Sequence, residues 1–284
     1  ELKRRFPHLR WLADLRDPWT DIYYYHEFRH LPPARWLDAR YERQVVARCD
    51  ALVTTSRHTG ELLLSKAPAA DTRKLYVLPN GYDEADFAAR ASAPPADALR
   101  LLHAGTITEA YRLDAGFLPA LAAVRARFPA VPWRLRFVGK VSEGLLAQVR
   151  AAGLGDVLEV QPYVPHHESV GELLRASALL LAIPDVAHNA GVLPGKLFEY
   201  LAARKPVVAV GPADSEASTI LSQAGAGPVL AYADTAGFGA RLTALAEAWQ
   251  LSPNLDLPPG PERTWTRRAL AGRLADTLRL IRNK

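Results

Sequence analysis

The sequence of 284 residues holds one cysteine and no methionine. A single cysteine rules out a disulfide within the chain and is typical of a reducing compartment such as the cytoplasm. Cys49 follows Arg48 in an apolar stretch with helical spacing, so we interpret it as a packing residue and not as a nucleophile. The longest apolar run, residues 176–184, is far too short to cross a bilayer. We therefore expect a cytoplasmic protein.

Patterns of metal ligands are scarce as well. The eight histidines include one adjacent pair, His166-His167, which lies in a polar stretch that we interpret as a loop. The chain also has no Asp-x-Asp triplet, a common carboxylate pattern for divalent cations. We therefore expect no metal site and no cofactor.

The distribution of charge argues against nucleic acid as a partner. The net charge is +5, and residues 262–284 hold seven of the 35 basic residues but only two of the 30 acidic ones. The remaining 28 basic and 28 acidic residues therefore balance in the rest of the chain. A nucleic-acid groove needs basic residues interleaved with aromatic ones along one surface, and this pattern is absent.

From residue 99 onward, short apolar runs alternate regularly with segments of helical spacing. Such alternation predicts an α/β domain in which helices cover both faces of a parallel sheet, and six repeats complete a doubly wound domain. The predicted strands are residues 99–103, 134–138, 158–164, 178–183, 207–210 and 229–231. The predicted helices are residues 113–128, 143–152, 169–176, 195–203, 216–224 and 236–249.

Residues 1–97 are predicted to hold part of a second α/β domain and a linker. Its predicted elements are strands at residues 10–15, 51–54 and 74–78, a helix at 35–46 and the linker at 83–97. A domain of this class needs five or more strands, and the sequence does not begin with methionine. We therefore expect a truncated domain, with about 100 residues upstream of Glu1. Residues 98–261 would form the second domain, and 262–284 a basic helix that packs back on the first.

A turn, a short helix and a buried strand are predicted within residues 194–210. The backbone N–H groups of Gly195, Lys196 and Leu197 meet the lysine ammonium and the positive end of the helix dipole, which favours a phosphate. Glu199 lies three residues after Lys196 on the same helix face, where its carboxylate suits the hydroxyl groups of a ribose. A buried helix with a lysine at its mouth and a locally capped glutamate explains the spacing equally well.

Three other loops follow strand ends, where ligands bind in open parallel sheets. Gly105 would let the backbone approach a phosphate, Thr106 could donate a hydrogen bond to it, and Arg112 could reach the same charge. Gly139-Lys140 ends the next strand in the same way, and Tyr163-Val164 could offer backbone groups to a nucleobase. Each loop alone is also explained as a plain connection, but all of them fall on the sheet edge that carries the turn described above.

The first domain has a similar strand end at residues 14–20. Four charged or polar residues stand there beside a tryptophan, and such a composition is typical of a cleft wall. The alternative is an ion pair of Arg16 with Asp14 or Asp17 that only supports the fold.

Five segments stand along the chain in the order found in GT-B glycosyltransferases: residues 14–19, 50–56, 77–83, 103–106 and 195–206. The sequence most closely resembles the retaining enzymes of family four, which build bacterial polysaccharides and glycolipids. The resemblance covers nearly the whole chain. It implies two Rossmann-like domains that face each other, of which the second binds a nucleoside-diphosphate sugar and the first an acceptor.

The resemblance also implies roles for single residues. Glu199 matches the glutamate that binds the ribose, and Lys196 and Arg112 match groups that meet the diphosphate. Arg16 and Asp17 fall where many relatives have a histidine and an aspartate in the reaction cleft. We expect a retaining, metal-independent transfer of a sugar to a hydroxyl group of a polysaccharide or glycolipid. A binding module without catalysis and a sugar-nucleotide epimerase of the same architecture are the alternatives.

One position departs from the family pattern. Many relatives carry a second glutamate eight residues before the one matched by Glu199, and here that position is Gly191. We expect His188 or Asn189 to supply the contact to the donor sugar in its place.

The last helix carries a regular apolar pattern. Leucine or isoleucine recurs every three or four residues and predicts one apolar stripe, formed by Leu270, Leu274, Leu278 and Ile281. Docking of this stripe on the first domain, with a solvated basic face outside, is the simpler interpretation. In the other interpretation, the flanking arginines contact an anionic membrane that carries a lipid-linked acceptor.

Overall fold

The computed structural model describes residues 2–88 and 95–282, so residues 89–94 of the predicted linker lie outside the described part. The strands are β1 (Leu12–Leu15), β2 (Ala51–Thr54), β3 (Leu75–Val77), β4 (Leu99–Ala104), β5 (Trp133–Val138), β6 (Leu158–Gln161), β7 (Ala178–Ala182), β8 (Val207–Val210) and β9 (Val229–Leu230). The α-helices are α1 (Leu2–Arg5), α2 (Pro32–Arg48), α3 (Arg57–Ser65), α4 (Phe117–Arg127), α5 (Glu143–Ala151), α6 (His166–Arg175), α7 (Gly195–Ala203), α8 (Glu216–Gln223), α9 (Thr235–Leu251) and α10 (Arg267–Arg282). Short 3-10 helices occur at Tyr25–Phe28, Thr72–Lys74, Glu84–Phe87, Glu109–Tyr111, Leu113–Ala115, Asn189–Gly191 and Pro261–Trp265.

The strands form two parallel sheets, which confirms the predicted α/β class. The first sheet has the order β1-β2-β3, and the second has the order β6-β5-β4-β7-β8-β9. The chain leaves β4 toward β5 and β6, and then returns to place β7 on the other side of β4. This reversal is the topological switch point of a doubly wound sheet, and it predicts a ligand beyond the carboxyl ends of β4 and β7.

Helices cover both faces of the second sheet and give it two hydrophobic cores. Strand β4 contributes Leu99 and Leu101 to one core, and Leu102 and Ala104 to the other. The first core packs against α4, α5 and α9, and the second against α6, α7 and α8. Alternate residues of a strand point to opposite faces, so a strand buried on both sides must be apolar throughout.

The first sheet has a smaller core of its own. Cys49 lies just after α2 among Val46, Leu52 and Leu63, and it is buried. Burial raises the pKa of the Cys49 thiol, which keeps the sulfur protonated and fits the predicted packing role.

Several element boundaries differ from the prediction. Strand β6 ends at Gln161 because Pro162 has no N–H to continue the ladder. Helix α6 begins at His166, so the His166-His167 pair lies in a helix and not in a loop. A 3-10 turn, Leu113–Ala115, precedes α4, and helix α3 was not predicted at all.

Helix α10 lies against the first domain through a face that differs from the predicted stripe. The side chain of Leu278 is 47 % exposed, whereas Thr277 is buried and takes its place between Leu274 and Ile281. A hydrogen bond of 2.9 Å from Arg273 Nη2 to the Val77 carbonyl also joins the helix to β3. No described helix is both long and apolar enough to span a bilayer.

Candidate functional site

A cleft of about 310 Å³ lies between the carboxyl ends of the two sheets. Arg16, Asp17 and residues 21–24 line it from the first domain, and Tyr111 and residues 191–196 line it from the second. A cavity of this size is within the range of small-molecule sites. The cleft therefore brings together the two strand ends at which the sequence predicted binding residues.

Lys196 and a fully buried histidine form the centre of the second-domain wall. The Nζ atom of Lys196 lies 3.2 Å from Nε2 of His103. The Nδ1 atom of His103 lies 2.9 Å from the Leu180 carbonyl oxygen, so Nδ1 carries the hydrogen and Nε2 accepts from the ammonium. Burial, assisted by the charge of Lys196, lowers the pKa of His103 to about 3, so the imidazole is neutral.

Burial also makes Lys196 an unusual cation. It lowers the pKa of the Lys196 ammonium to about 8, and the nearby carboxylate of Glu199 opposes this shift only in part. An incompletely solvated cation gains more from a ligand anion than a surface lysine does, because little water must be removed from it. At neutral pH the site therefore presents a positive charge that can bind an anion.

Two glycines let the strand ends approach this lysine. Gly105 has a φ of +108°, and a Cβ atom there would lie 2.9 Å from Lys196 Nζ. Gly139 has a φ of +125° and would place a Cβ atom 2.7 Å from the Gly105 carbonyl oxygen. Thr106 and Lys140, which follow the two glycines, are exposed. The predicted loops of β4 and β5 therefore meet beside Lys196.

The first turn of α7 leaves backbone donors next to the cleft. No side chain caps this end of the helix, and a Cβ atom at Gly195 would meet nothing within 4 Å. The first N–H groups of a helix lack acceptors within the helix. The N–H group of Leu197 donates to the Pro194 carbonyl at 3.0 Å and its side chain is buried, so Gly195 and Lys196 are left to meet a ligand.

A buried tyrosine fixes α7 to the end of β4. The backbone N–H of Ala104 donates a 2.9 Å hydrogen bond to the hydroxyl oxygen of Tyr200. Burial raises the pKa of Tyr200, so its hydroxyl stays neutral. Since α7 carries Lys196 and β4 carries His103, this bond sets the distance between the two groups.

We expect Tyr200→Phe to lower the free energy of unfolding by about 1–3 kcal/mol, because the Ala104 N–H loses its acceptor inside the protein. Denaturant unfolding of the purified variant measures this loss. Tyr163→Phe is the matched control, since Tyr163 is 84 % exposed, and its effect should stay within about 0.5 kcal/mol. Equal stability of Tyr200→Phe and the control would contradict the role of the hydroxyl.

Glu199 faces a second groove of about 580 Å³ that shares Arg16, Asn80 and Gly195 with the cleft. Burial raises the pKa of the Glu199 carboxyl, and His166 has the largest opposing effect. Within residues 2–88 and 95–282, no group donates a hydrogen bond to this carboxylate. In the described residues, the Glu199 carboxylate is therefore not capped by a neighbouring group, which was the alternative interpretation of the sequence. Its oxygens can accept hydrogen bonds from a ligand.

Arg112 lies beside the cleft and is already paired. It has a φ of +50° between two 3-10 turns, and its Nη1 atom lies 3.1 Å from the carboxylate of Asp185. Both side chains are about half exposed. Tyr111, and not Arg112, contributes to the lining of the cleft. Arg112 must therefore turn away from Asp185, or be shared with it, to meet a bound anion.

Tyr163 and Val164, the predicted base contacts, lie after the end of β6. The Tyr163 side chain is 84 % exposed, whereas Val164 packs against the second core. Only the tyrosine ring and the backbone of this loop are therefore available to a ligand.

Arg16 and Asp17 form the first-domain wall of the cleft. Arg16 Nη1 donates a 2.7 Å hydrogen bond to the Leu78 carbonyl, and its Nε atom lies 3.6 Å from Asp14. Arg16 therefore forms the ion pair with Asp14 that was the alternative interpretation of the sequence. It nevertheless also lines the cleft. Burial raises the pKa of the Asp17 carboxyl, and the charge of Arg16 opposes this in part.

The packing of α3 explains the glycine at position 191. A Cβ atom on Gly191 would lie 3.0 Å from Thr59 Oγ1 and 3.1 Å from the His58 ring, so a larger side chain there would be crowded by α3. The amide of Asn189 donates to the Tyr232 hydroxyl oxygen at 3.0 Å and to the Pro184 carbonyl. His188 lines the cleft. Of the two residues expected to replace the glutamate, His188 is the one that faces the cavity.

A buried charge network holds the cleft loop of the first domain. The Glu42 carboxylate is fully buried and accepts hydrogen bonds from the Thr20 hydroxyl at 2.6 Å and from Lys66 Nζ at 2.6 Å. Lys66 Nζ also lies 2.5 Å from Asp21. Residues 21–24, which line the cleft, follow directly on this anchor. Helices α2 and α3 therefore position the first-domain wall of the cleft.

A family model for glycosyl transferases group 1 matches residues 98–248, more than half of the chain. The chain belongs to this family. The match runs from the start of β4 into α9 and includes Lys196 and Glu199. It confirms the resemblance found in the sequence and makes the protein a glycosyltransferase. A search of curated protein sequences found no match.

Solved glycosyltransferase structures share the fold. Sucrose-phosphate synthase of Thermosynechococcus elongatus is 16 % identical with a TM-score of 0.64, over 99 % of this chain and 69 % of that one. WaaG, a glycosyltransferase involved in lipopolysaccharide biosynthesis, is 13 % identical with a TM-score of 0.61, over 95 % and 79 %. Anabaena HepE in complex with UDP-glucose is 13 % identical with a TM-score of 0.57, over 97 % and 74 %. At these identities the likeness establishes the GT-B fold alone.

Several residues of this glycosyltransferase site escaped the sequence analysis. His103 stood inside a quoted motif, but its contact with Lys196 spans 93 positions and has no local signal. Tyr200 followed Glu199 in the α7 pattern and looked like an ordinary apolar residue. Ser56 gave a local signal for α3, because its hydroxyl oxygen accepts from the Thr59 N–H as an N-cap.

Proposed function

We propose that this glycosyltransferase moves a sugar from a nucleoside diphosphate to a hydroxyl group of a polysaccharide or lipid-linked acceptor. The observation that carries the proposal is the partly buried ammonium of Lys196, which lies beside Gly105 at the uncapped start of α7. Its charge, the helix dipole and the free N–H groups suit a diphosphate. Glu199, in the adjoining groove, would accept hydrogen bonds from the hydroxyl groups of the ribose.

In the proposed reaction, the bond from the anomeric carbon to the diphosphate oxygen breaks and a bond to the acceptor oxygen forms. Negative charge then concentrates on the leaving diphosphate. Lys196 and the α7 N-terminus lie where they can stabilise that charge, and Arg112 can add to it from the side. These cations can neutralise the phosphates, so we propose a metal-independent transfer.

Asp17 is proposed to act on the acceptor. It lines the opposite wall of the cleft from Lys196, and burial raises the pKa of its carboxyl. In a retaining transfer the acceptor oxygen attacks from the side on which the diphosphate leaves, so a phosphate oxygen of the leaving group can receive the hydroxyl proton, and Asp17 would orient the acceptor by accepting a hydrogen bond from it. The charge of Arg16 beside Asp17 favours the ionised carboxylate.

From the family resemblance, we propose that the transferred sugar retains its anomeric configuration. Incubation with a nucleotide sugar and an oligosaccharide acceptor, followed by proton NMR of the product, tests the reaction and its outcome together. A transferred sugar with the donor's anomeric configuration is the expected result. A free nucleoside diphosphate alone, an epimerised donor or an unchanged donor would each contradict the proposed transfer.

We expect Glu199→Ala to weaken nucleotide binding by about 1.5–3 kcal/mol, because hydrogen bonds to a charged group are lost. The matched control is Glu168→Ala in α6, an exposed carboxylate outside both cavities. Calorimetric titration of both variants with a nucleoside diphosphate gives the difference. Unchanged affinity in a folded Glu199→Ala variant would remove Glu199 from the site.

A further inference from the structure

An ion pair of Arg112 and Asp185 joins the loops that follow β4 and β7, the two strands at the topological switch point. Arg112 Nη1 donates a 3.1 Å hydrogen bond to the Asp185 carboxylate. Their neighbours in the sequence, Tyr111 and Pro184, both line the cleft. The pair therefore lies at the edge of the cleft, at the place where a doubly wound sheet binds its ligand.

Arg112 is held less firmly than Arg100 and Arg125 of the same domain. Each of those two arginines donates a hydrogen bond from both terminal nitrogens to the two oxygens of one aspartate. Arg112 donates one bond, and the Arg112 and Asp185 side chains are 50 % and 42 % exposed. A single hydrogen bond between half-exposed charges contributes little net stability, so another anion can displace the aspartate.

The backbone around the pair is fixed by hydrogen bonds. The Asp185 N–H donates to the Ala110 carbonyl at 2.8 Å, which ties the two loops together. The Arg112 N–H donates to the Glu109 carbonyl at 3.0 Å, and the Arg112 carbonyl accepts from the Ala115 N–H at 3.2 Å. Only the side chain of Arg112 therefore has to move when it meets a ligand, and Asp185 keeps its place.

Neither member of the pair has a second ionic partner in residues 2–88 and 95–282. No other carboxylate lies within 4 Å of the Arg112 guanidinium, and no other cation lies within 4 Å of the Asp185 carboxylate. A diphosphate that takes Arg112 therefore leaves the Asp185 charge without a cation. The ligand gains less from Arg112 than it would gain from an unpaired arginine, because the existing pair must first be broken.

We propose that Asp185 is the counter-ion of Arg112 in the free enzyme and competes with a diphosphate for the guanidinium. A bound diphosphate takes over Arg112. After the sugar has been transferred, Asp185 draws the guanidinium back and weakens the hold on the product nucleoside diphosphate. Asp185 acts through Arg112 and is thus a positioning residue. This competition rests on the diphosphate site proposed above, and it gives that site a means of releasing its product.

Calorimetric titration with inorganic pyrophosphate tests the competition without a choice of nucleobase. Asp185→Asn keeps the shape of the side chain and removes its charge. The variant should bind pyrophosphate about two- to fivefold more tightly than the wild type, the range expected when an exposed ion pair no longer has to be broken. A carboxylate that only supports the loop would give weaker binding or no change, and either result would overturn the proposal.

Two controls separate the ion pair from the general loss of a negative charge. Asp114 is exposed, lies two residues after Arg112 and forms no ion pair among the described residues, so Asp114→Asn should leave the affinity unchanged. Asp185→Asn in an Arg112→Gln background should also leave it unchanged, because the group for which Asp185 competes is gone. Equal tightening by Asp114→Asn, or tightening that persists without Arg112, would contradict the competition.

The same titrations distinguish this proposal from the proposed function. Binding of pyrophosphate to the wild type with no gain in Asp185→Asn would overturn the competition and leave the diphosphate site in place. No binding to any of these proteins would contradict the diphosphate site and the competition together.

Discussion

Lys196→Met should weaken nucleoside-diphosphate binding by about 1.5–3 kcal/mol, or roughly 10- to 150-fold, because a hydrogen-bonded charge pair is lost. Turnover should fall by about 100- to 1,000-fold, since the leaving diphosphate loses its closest fixed cation. Methionine retains the unbranched side chain as far as Cε and removes the ammonium group. Calorimetric titration and initial rates at saturating donor measure the two effects. Arg73→Met, which removes a positive charge from an exposed 3-10 turn, should change neither.

The pH dependence of binding gives a sharper test of the same lysine. The pKa of Lys196 is about 8, so affinity should be highest below pH 8 and should fall as the ammonium loses its proton above it. In Lys196→Met this fall should be absent. The unfolded chain holds the proton up to about pH 10.5, so the free energy of unfolding should rise between pH 8 and 10.5 in the wild type. A wild-type affinity that is flat from pH 7 to 9.5 would contradict the role of Lys196.

Lys66→Met should lower the free energy of unfolding by about 3 kcal/mol, the lower end of the 3–5 kcal/mol range for a broken buried ion pair. The lower end applies because the Lys66 side chain is 18 % exposed, although its partner Glu42 is fully buried. Among the residues that the structure describes, the variant leaves the Glu42 carboxylate with the Thr20 donors alone. Denaturant unfolding measures the loss.

Two controls separate this pair from surface electrostatics. Arg73→Met breaks an exposed pair with Asp71 and should cost less than about 1 kcal/mol. Lys66→Met combined with Glu42→Met should be less destabilising than Lys66→Met alone, since the fully buried carboxylate is no longer left without its cation. A double variant that loses the sum of both single effects would show that the two charges do not interact.

The repeating pattern of the second domain was predictable because its central strands, β4, β5, β7 and β8, are largely buried on both faces. The six apolar runs from residue 99 onward had to be strands, and their alternation with helices required parallel pairing. The turn at Gly195 and Lys196 was also predictable from a short stretch of sequence. Its prediction needed only the exposed donors of a helix start and a nearby cation, both of which are written in consecutive residues.

Features that depend on long-range packing could not be read from the sequence. The neutral state of His103 and the lowered pKa of Lys196 follow from burial, which no neighbouring residue reveals. The misplacement of Leu278 in the predicted α10 stripe has the same origin. Leu278 fits the periodic pattern as well as Thr277 does, and only the shape of the first domain selects the threonine.

The network of Glu42 and Lys66 illustrates a third limit. A glutamate within a polar helix pattern is normally solvated, and Glu42 was indistinguishable from such a residue. Glu42 is buried because α3 packs against α2 and brings Lys66, at the end of α3, to its carboxylate. The position of the cleft loop at residues 21–24 therefore could not be predicted without knowledge of the tertiary fold.

The central claim is that a nucleoside diphosphate binds at Lys196 on the second domain. The most direct measurement is thermal unfolding of the wild type and of Lys196→Met with UDP, GDP, dTDP and ADP in turn. One nucleotide, at 100 times its Kd, should stabilise the wild type by about 2.7 kcal/mol. At the same concentration it should stabilise Lys196→Met by much less. No stabilisation by any of the four, or equal stabilisation of both proteins, would contradict the account.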